Sequence, residues 1–167
     1  MSSPAALYDV AQVRALDAAA IRAGTSGYTL MQPAAEAELR ALRSRWPRAL
    51  RVAVVAGGGN NGGDGYAFAR FAQAAGLIVE VLAAVEPARL KGEALQACDD
   101  FQASGGQVFG WYPARLQTAD VIVDALLGVG LAAPVREPLR AAIGAVNAAG
   151  KPVLSLDLPS GLDGDRG

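Results

Sequence analysis

Histidine is absent from this 167-residue chain and cysteine occurs once, at Cys98. That excludes Ser-His-Asp and Cys-His nucleophile systems and imidazole metal sites. It also excludes an intrachain disulfide or a thiolate zinc cluster. Cys98 lies between Ala97 and Asp99, neighbours that do not activate a thiolate. It is expected to be an inert thiol on a helix. Chemistry is left to carboxylates, hydroxyls, amides, backbone N–H groups, two lysines or a bound ion.

Three segments concentrate those groups. Gly57-Gly58-Gly59-Asn60-Asn61-Gly62-Gly63-Asp64-Gly65 holds six of the 20 glycines. Gly57, Gly59 and Gly62 satisfy the G-x-G-x-x-G pattern, whose glycines let a backbone turn sharply and approach a ligand. A helix start after such a loop offers free N–H groups and a partial positive charge to a phosphate. Two asparagines and an aspartate inside the turn depart from the dehydrogenase fingerprint. Asp64 would oppose a phosphate at the helix start unless it faces a ribose hydroxyl or a cation. A P-loop is excluded, because Asp64 follows Gly63 where lysine is required. The second segment is Asp124-Ala125-Leu126-Leu127-Gly128-Val129-Gly130, and the third is Asp157-Leu158-Pro159-Ser160-Gly161-Leu162-Asp163. Taken alone, either fits a carboxylate-capped turn.

The elements around these segments give them a common address. Asp9-x-x-Gln12 reads as a capping box opening a helix, with Val13, Leu16, Ala20 and Ile21 on one face and Gly24 as its stop. A second helix is expected from about Pro33 to Trp46, with Pro33 in its first turn and Ala34, Leu39, Leu42 and Trp46 as apolar positions. Strands are expected at 52–56, 77–85, 107–109, 120–125 and 153–157, and helices at 64–75, 90–103 and 138–149. Alternating strands and helices imply right-handed crossovers and a parallel sheet. Each of the three segments then follows a strand, at the carboxyl edge where open parallel sheets bind ligands. Asp157 and Ser160 are expected to point into the same small volume as Asp124. Tyr66 suits core packing or stacking on a flat ligand. Trp111 and Tyr112 read as a hydrophobic plug, and Arg40, Arg43, Arg45 and Arg48 as a wet helix face.

A net charge of −1 without a basic face argues against a nucleic-acid binder. No run reaches the ~18 apolar residues of a membrane span, and the amino end lacks a signal-peptide layout. The expectation is a cytoplasmic protein. Its length suits one domain, able to bury about 70% of its unfolded surface.

Gly59-Asn60-Asn61-Gly62-Gly63-Asp64-Gly65, the Asp124 to Gly130 segment and the Asp157-Leu158-Pro159-Ser160-Gly161 turn, in that order, resemble the YjeF N-terminal domain family, the NAD(P)H-hydrate epimerases. Arg14-Ala15-Leu16-Asp17 and Leu30-Met31 also look like that family, while Gln32 and Ala35 stand where it often has Glu and Gly. The resemblance implies a three-layer α/β/α Rossmann-like sandwich with a mainly parallel sheet, in one domain across residues 1–167, with 1–8 as a flexible tail. Family members continue for several more strands and helices, so the domain is expected to be truncated at its carboxyl end. The implied activity interconverts the R and S forms of hydrated NADH or NADPH at C6 of the nicotinamide ring, a repair of damaged metabolite. The implied substrate contacts are Asn60, Asn61, Gly62, Gly63, Asp64, Gly128, Val129, Gly130, Leu131, Ala132, Ala133, Pro134 and Asp157. A potassium ion (K+) would be held by Asn61, Asp124 and Ser160, an oxygen-rich set suited to a hard monovalent cation. The implied partners are a second copy in a homodimer and an ADP/ATP-dependent NAD(P)H-hydrate dehydratase, fused or separate.

Acid–base chemistry by carboxylate follows from the available residues. Asp157, Asp64 and Asp124 are the candidates, and Asp157 is favoured because a cation would occupy Asp124. Two other functions are open to the same fold. One is a non-catalytic nucleotide-binding or scaffold module, against which the intact Asn60, Asn61, Asp64, Asp124 and Asp157 argue. The other is a nicotinamide dehydrogenase, which needs an acidic residue at the end of the second strand; Glu80 and Glu86 are the candidates.

Overall fold

A computed structural model describes residues 8–131 and 134–166 of the chain. All but Tyr8 of the tail expected over residues 1–8 lies outside the described residues, as do Ala132 and Ala133.

Five parallel strands form one sheet: β1 (Arg51–Ala56), β2 (Ile78–Ala83), β3 (Gln107–Gly110), β4 (Val121–Ala125) and β5 (Val153–Ser155). Their order is β3-β2-β1-β4-β5. β1 and β4 are buried along nearly their whole length, as apolar runs in a sheet covered on both faces must be. Alternate residues go to opposite faces. Val52, Val54 and Ala56 join the core beneath α2 (Gly27–Arg45), α3 (Asn60–Ala74) and α4 (Gly92–Ala103). Ala53 and Val55 join the core beneath α5 (Leu139–Ala148) and a 3-10 turn at Pro113–Thr118. Helices therefore cover both faces, in three layers.

Chain direction within the sheet decides where a site can form. From β1 the chain moves outward to β2 and β3, then returns to β4 on the other side of β1. The register pairs Val55 with Asp124 and Asp124 with Ser155. The carboxyl ends of β1, β4 and β5 are therefore level, and the crevice between β1 and β4 is the switch point of the sheet.

The described helices differ from expectation at three places. α1 (Val10–Arg22) has the expected capping box: Asp9 accepts the Gln12 N–H at 2.7 Å and its own N–H donates to Gln12 Oε1 at 2.9 Å. Yet α1 buries no residue, and Leu16 and Ile21 are about half exposed. α2 starts six residues before Pro33, because the Ser26 side chain accepts the Thr29 N–H and caps it there. Pro33 is thus inside the helix. The helix buries Met31, Ala35 and Leu42, with Leu39 and Trp46 packed against the same core as expected, while Ala34 is exposed. α3 starts at Asn60, so the second half of the glycine segment is helix and Asp64 lies past its first turn. Elsewhere the expected elements are found within about three residues. Cys98 is buried on α4, and the four arginines from Arg40 to Arg48 are exposed. Of the expected plug, Trp111 packs against the core beneath α5, while Tyr112 is exposed.

Candidate active site

The β1–α3 turn places the amide groups. The Gly57 N–H donates to the Ala125 carbonyl at 3.0 Å, pinning the turn to the end of β4. A Cβ at Gly62 would collide with the Gly57 carbonyl oxygen, so this close return requires glycine. α3 follows Gly59 with no side-chain cap, leaving its opening N–H groups free of side-chain acceptors. Asn60 is exposed. Asn61 is only 8% exposed, and neither its Oδ1 nor its Nδ2 has a hydrogen-bond partner. An unpaired buried amide costs free energy and points to a polar partner at this position.

Asp124, the penultimate residue of β4, is 6% exposed. Its carboxylate accepts the Ser160 hydroxyl at 2.6 Å, the Ser160 N–H at 2.9 Å and the Leu126 N–H at 3.2 Å. The Ser160 hydroxyl oxygen also accepts the Leu127 N–H at 2.9 Å. These bonds join the loops after β4 and β5, as expected for Asp124 and Ser160. Asn61, Asp124 and Ser160 offer amide, carboxylate and hydroxyl oxygens, and the orphaned Asn61 Oδ1 gives that donor set an unused ligand atom. Among the described residues no group of three His, Cys, Asp or Glu is placed to hold a metal. By its chemistry, a donor set of oxygens suits a hard monovalent cation better than a soft transition metal.

Asp157 follows β5 on the same edge, exposed to the crevice. It is the one non-glycine residue with positive φ among the described residues, at φ 63°. Such a conformation is sparsely populated for a side-chain-bearing residue and persists where the surroundings hold it. Here the Val129 N–H donates to Asp157 Oδ2 at 2.7 Å. A Cβ at Gly128 would strike that same oxygen, so the glycine is needed for the aspartate. Arg14 of α1 completes the arrangement, donating from Nη2 to the Val129 carbonyl at 2.7 Å. Arg14, Gly128, Val129, Leu131, Asp163 and Asp165 line a cavity of about 130 Å³ there. Pro134, further along, is exposed. The expected contributions of Ala132 and Ala133 fall outside the described residues.

Asp64 lies half-buried on α3, and burial, with the charges of Asp157 and Asp17, pushes its carboxyl up to about 7. Its place past the first turn removes the expected conflict with a phosphate at the helix start. A residue that the sequence reading did not single out joins it. Glu38 of α2 is likewise pushed up to about 7, by burial and by the charges of Asp64 and Asp157. Its Oε2 is buried with no hydrogen-bond partner. The signal was a carboxylate on the buried stripe Met31, Ala35, Glu38 and Leu42. A helix starting at Pro33 leaves out Met31 and so hides the stripe.

Two other candidates are not in the crevice. Tyr66 is fully buried in the core, where burial raises its hydroxyl, so it stacks on no ligand. Glu80 lies midway along β2 and pairs with Arg115 at 3.0 Å, while Glu86 is exposed beyond the strand.

A family model described as YjeF-related protein N-terminus matches residues 27–167. The bifunctional NAD(P)H-hydrate repair enzyme Nnr of Coxiella burnetii is 45% identical over 161 residues, covering 96% of this chain and 33% of the relative. The NAD(P)H-hydrate epimerase of Limosilactobacillus fermentum is 38% identical over 161 residues, covering 94% of this chain and 76% of the relative. That of Bordetella pertussis is 40% identical over 158 residues, covering 95% and 67%. The chain thus spans about a third of the bifunctional relative. Yeast ynu0 superposes with a TM-score of 0.87 at 23% identity, covering 98% of this chain and 74% of that one, a likeness of fold. With matching segments in the same order along almost its full length, the chain belongs to the family of YjeF-related protein N-termini.

Proposed function

We propose that this chain is an NAD(P)H-hydrate epimerase, interconverting the R and S hydrates of NADH or NADPH. The observation that carries the reading is the convergence of Asn61, Asp64, Asp124 and Asp157 on one crevice at the sheet's switch point. Relatives named NAD(P)H-hydrate epimerase, at 38–40% identity, support it. A dehydrogenase reading is disfavoured, since Glu80 is engaged by Arg115 away from the strand end.

The hydrate bears a hydroxyl on the carbon next to the ring nitrogen. Protonation lets it leave as water and leaves a planar cation that water can re-enter from either face. In this reading Asp157, aimed by Val129 and Gly128, faces the ring, stabilises the cation and orients the returning water. The N–H groups at the start of α3 and the 128–131 loop hold the nucleotide. Asn61, Asp124 and Ser160 would hold a potassium ion, which supplies a fixed positive charge to the substrate's phosphates. A homodimer, and a dehydratase that consumes one epimer, belong to the same proposal. Names of relatives that join two activities in one chain support the latter.

The test is exchange between the two hydrate epimers, followed by NMR or chromatography with purified protein. Epimerisation faster than the spontaneous rate supports the reading. Tight nucleotide binding without exchange would instead favour the scaffold module.

A further inference from the structure

α1 is a helix by its own local signals, since it carries a complete capping box, yet it buries no residue. A buried apolar stripe is what ordinarily fixes a helix in place. Here two hydrogen bonds from distant parts of the chain reach it instead, on one face, because Val10 and Arg14 are one turn apart. The Val10 N–H donates to Asp165 Oδ1 at 2.9 Å, and Arg14 Nη2 donates to the Val129 carbonyl at 2.7 Å. The first bond holds α1 to a turn in which Asp163 Oδ1 accepts the N–H groups of Asp165 and Arg166, each at 3.0 Å. The second reaches the loop after β4.

Arg14 had other partners within its surroundings. Asp163 and Asp165 line the same cavity, yet among the described residues Arg14 pairs with no carboxylate. Its guanidinium goes to a backbone carbonyl, a charge-assisted bond with a defined direction. That carbonyl belongs to a turn closed by the Leu131 N–H on the Gly128 carbonyl at 3.1 Å, with Val129 and Gly130 at its centre. The central peptide of such a turn can flip, and a glycine in the third position accepts either orientation. Arg14 grips the oxygen of that central peptide. On the other side of the same residue, the Val129 N–H donates to Asp157 Oδ2 at 2.7 Å. Val129 is thus held at both ends, with α1 on its carbonyl and the site carboxylate on its N–H.

We propose that Arg14 is a positioning residue: it locks the 128–131 turn so that the Val129 N–H keeps the Asp157 carboxylate aimed into the crevice. This rests on the epimerase reading above, in which Asp157 faces the ring. Arg14 acts on the reaction through Val129 and Asp157. Without it the turn keeps its own hydrogen bond, but the Val129–Gly130 peptide samples both orientations and the donor to Asp157 moves with it.

Two measurements test this, and their failures are distinguishable. The first needs no substrate: nitrogen-15 and carbon-13 NMR of the labelled protein, following the Val129 amide and the Asp157 carboxyl. Arg14 is exposed, so its substitution leaves the fold in place. Arg14→Ala should shift the Val129 amide proton upfield and move the Asp157 carboxyl carbon with it. An Asp157 signal unmoved by that substitution overturns the coupling. The second is a double-mutant cycle on epimerisation. Arg14→Ala should lower kcat about fivefold, the worth of roughly one hydrogen bond, with KM changed by less than about threefold. Arg14→Lys, which can still donate to the carbonyl, should restore part of kcat. On an Asp157→Asn background, Arg14→Ala should change kcat by less than about twofold. An unchanged kcat in Arg14→Ala, or equal losses on both backgrounds, overturns the positioning role. If the wild-type protein epimerises nothing, the reading of the site fails, and the NMR comparison still decides whether Arg14 holds the turn on Asp157.

Discussion

Asp157 is held at positive φ and fixed by a single backbone N–H, so its chemistry and its conformation can be separated experimentally. Asp157→Asn keeps the shape and removes the charge. Its epimerisation rate should drop by about 10² or more with an unchanged melting temperature. Gly128→Ala leaves the carboxylate in place chemically but drives a methyl group against its Oδ2. Its kcat should fall although the substitution lies outside the set of reacting groups, and a crystal structure of the variant should show Asp157 displaced. Glu38 and Asp64 make a statement about stability. Their folded carboxyls titrate near 7, above the ordinary 4.5 and 3.8 of an exposed Glu or Asp. Between those limits the folded state binds more protons than the unfolded chain. The stabilising contribution is present in full below about pH 4 and is lost as pH rises to about 7. Thermal melts should therefore show Glu38→Leu stabilising the protein at pH 8, with the gain shrinking towards pH 4.

The helices show how a local signal can be read correctly in kind and wrongly in position. Ser26 caps α2 through the Thr29 N–H, and Pro33 then falls inside it. Ser26→Ala should cost about 1 kcal/mol, measurable by chemical denaturation. Proline suits a starting position because its missing N–H is harmless in a first turn. Packing of Met31, Ala35 and Leu42 against α3 and the core outweighs its interior penalty. The same start hides Glu38, since a helix begun at residue 33 lacks Met31, which lines up with Ala35 and Leu42. The glycine segment was legible as a ligand-binding turn, but its division was not. Six glycines suggest loop, yet Asn60 to Gly65 coil as helix because Gly62 and Gly63 let α3 pass close to the Gly57 carbonyl, Met31 and Ala94. α1 carries an apolar face on which Leu16 and Ile21 stay about half exposed.

At the scale of the whole molecule, a cation at Asn61, Asp124 and Ser160 would join β4, β5 and α3. Potassium should then raise the melting temperature in proportion to the logarithm of its concentration above Kd. Asn61→Leu should abolish that dependence while sodium and potassium act alike on the variant. Equal melting of the native chain with and without potassium would count against the assignment. The strand and helix order, the three motif segments and their place at the sheet's carboxyl edge follow from the sequence alone. Apolar runs bounded by glycine, and carboxylates just beyond them, are local patterns that one dimension preserves. So is the chemistry excluded by the absence of histidine. Which groups meet was decided only by the tertiary structure. Register levels Asp124 with Ser155, the turn after β5 closes Ser160 onto Asp124, and the crossing of α2 over α3 half-buries the carboxyls of Glu38 and Asp64, 26 positions apart in sequence. Burial, which turns those carboxyls from solvated charges into holders of a proton, is a property of that crossing and of no single residue.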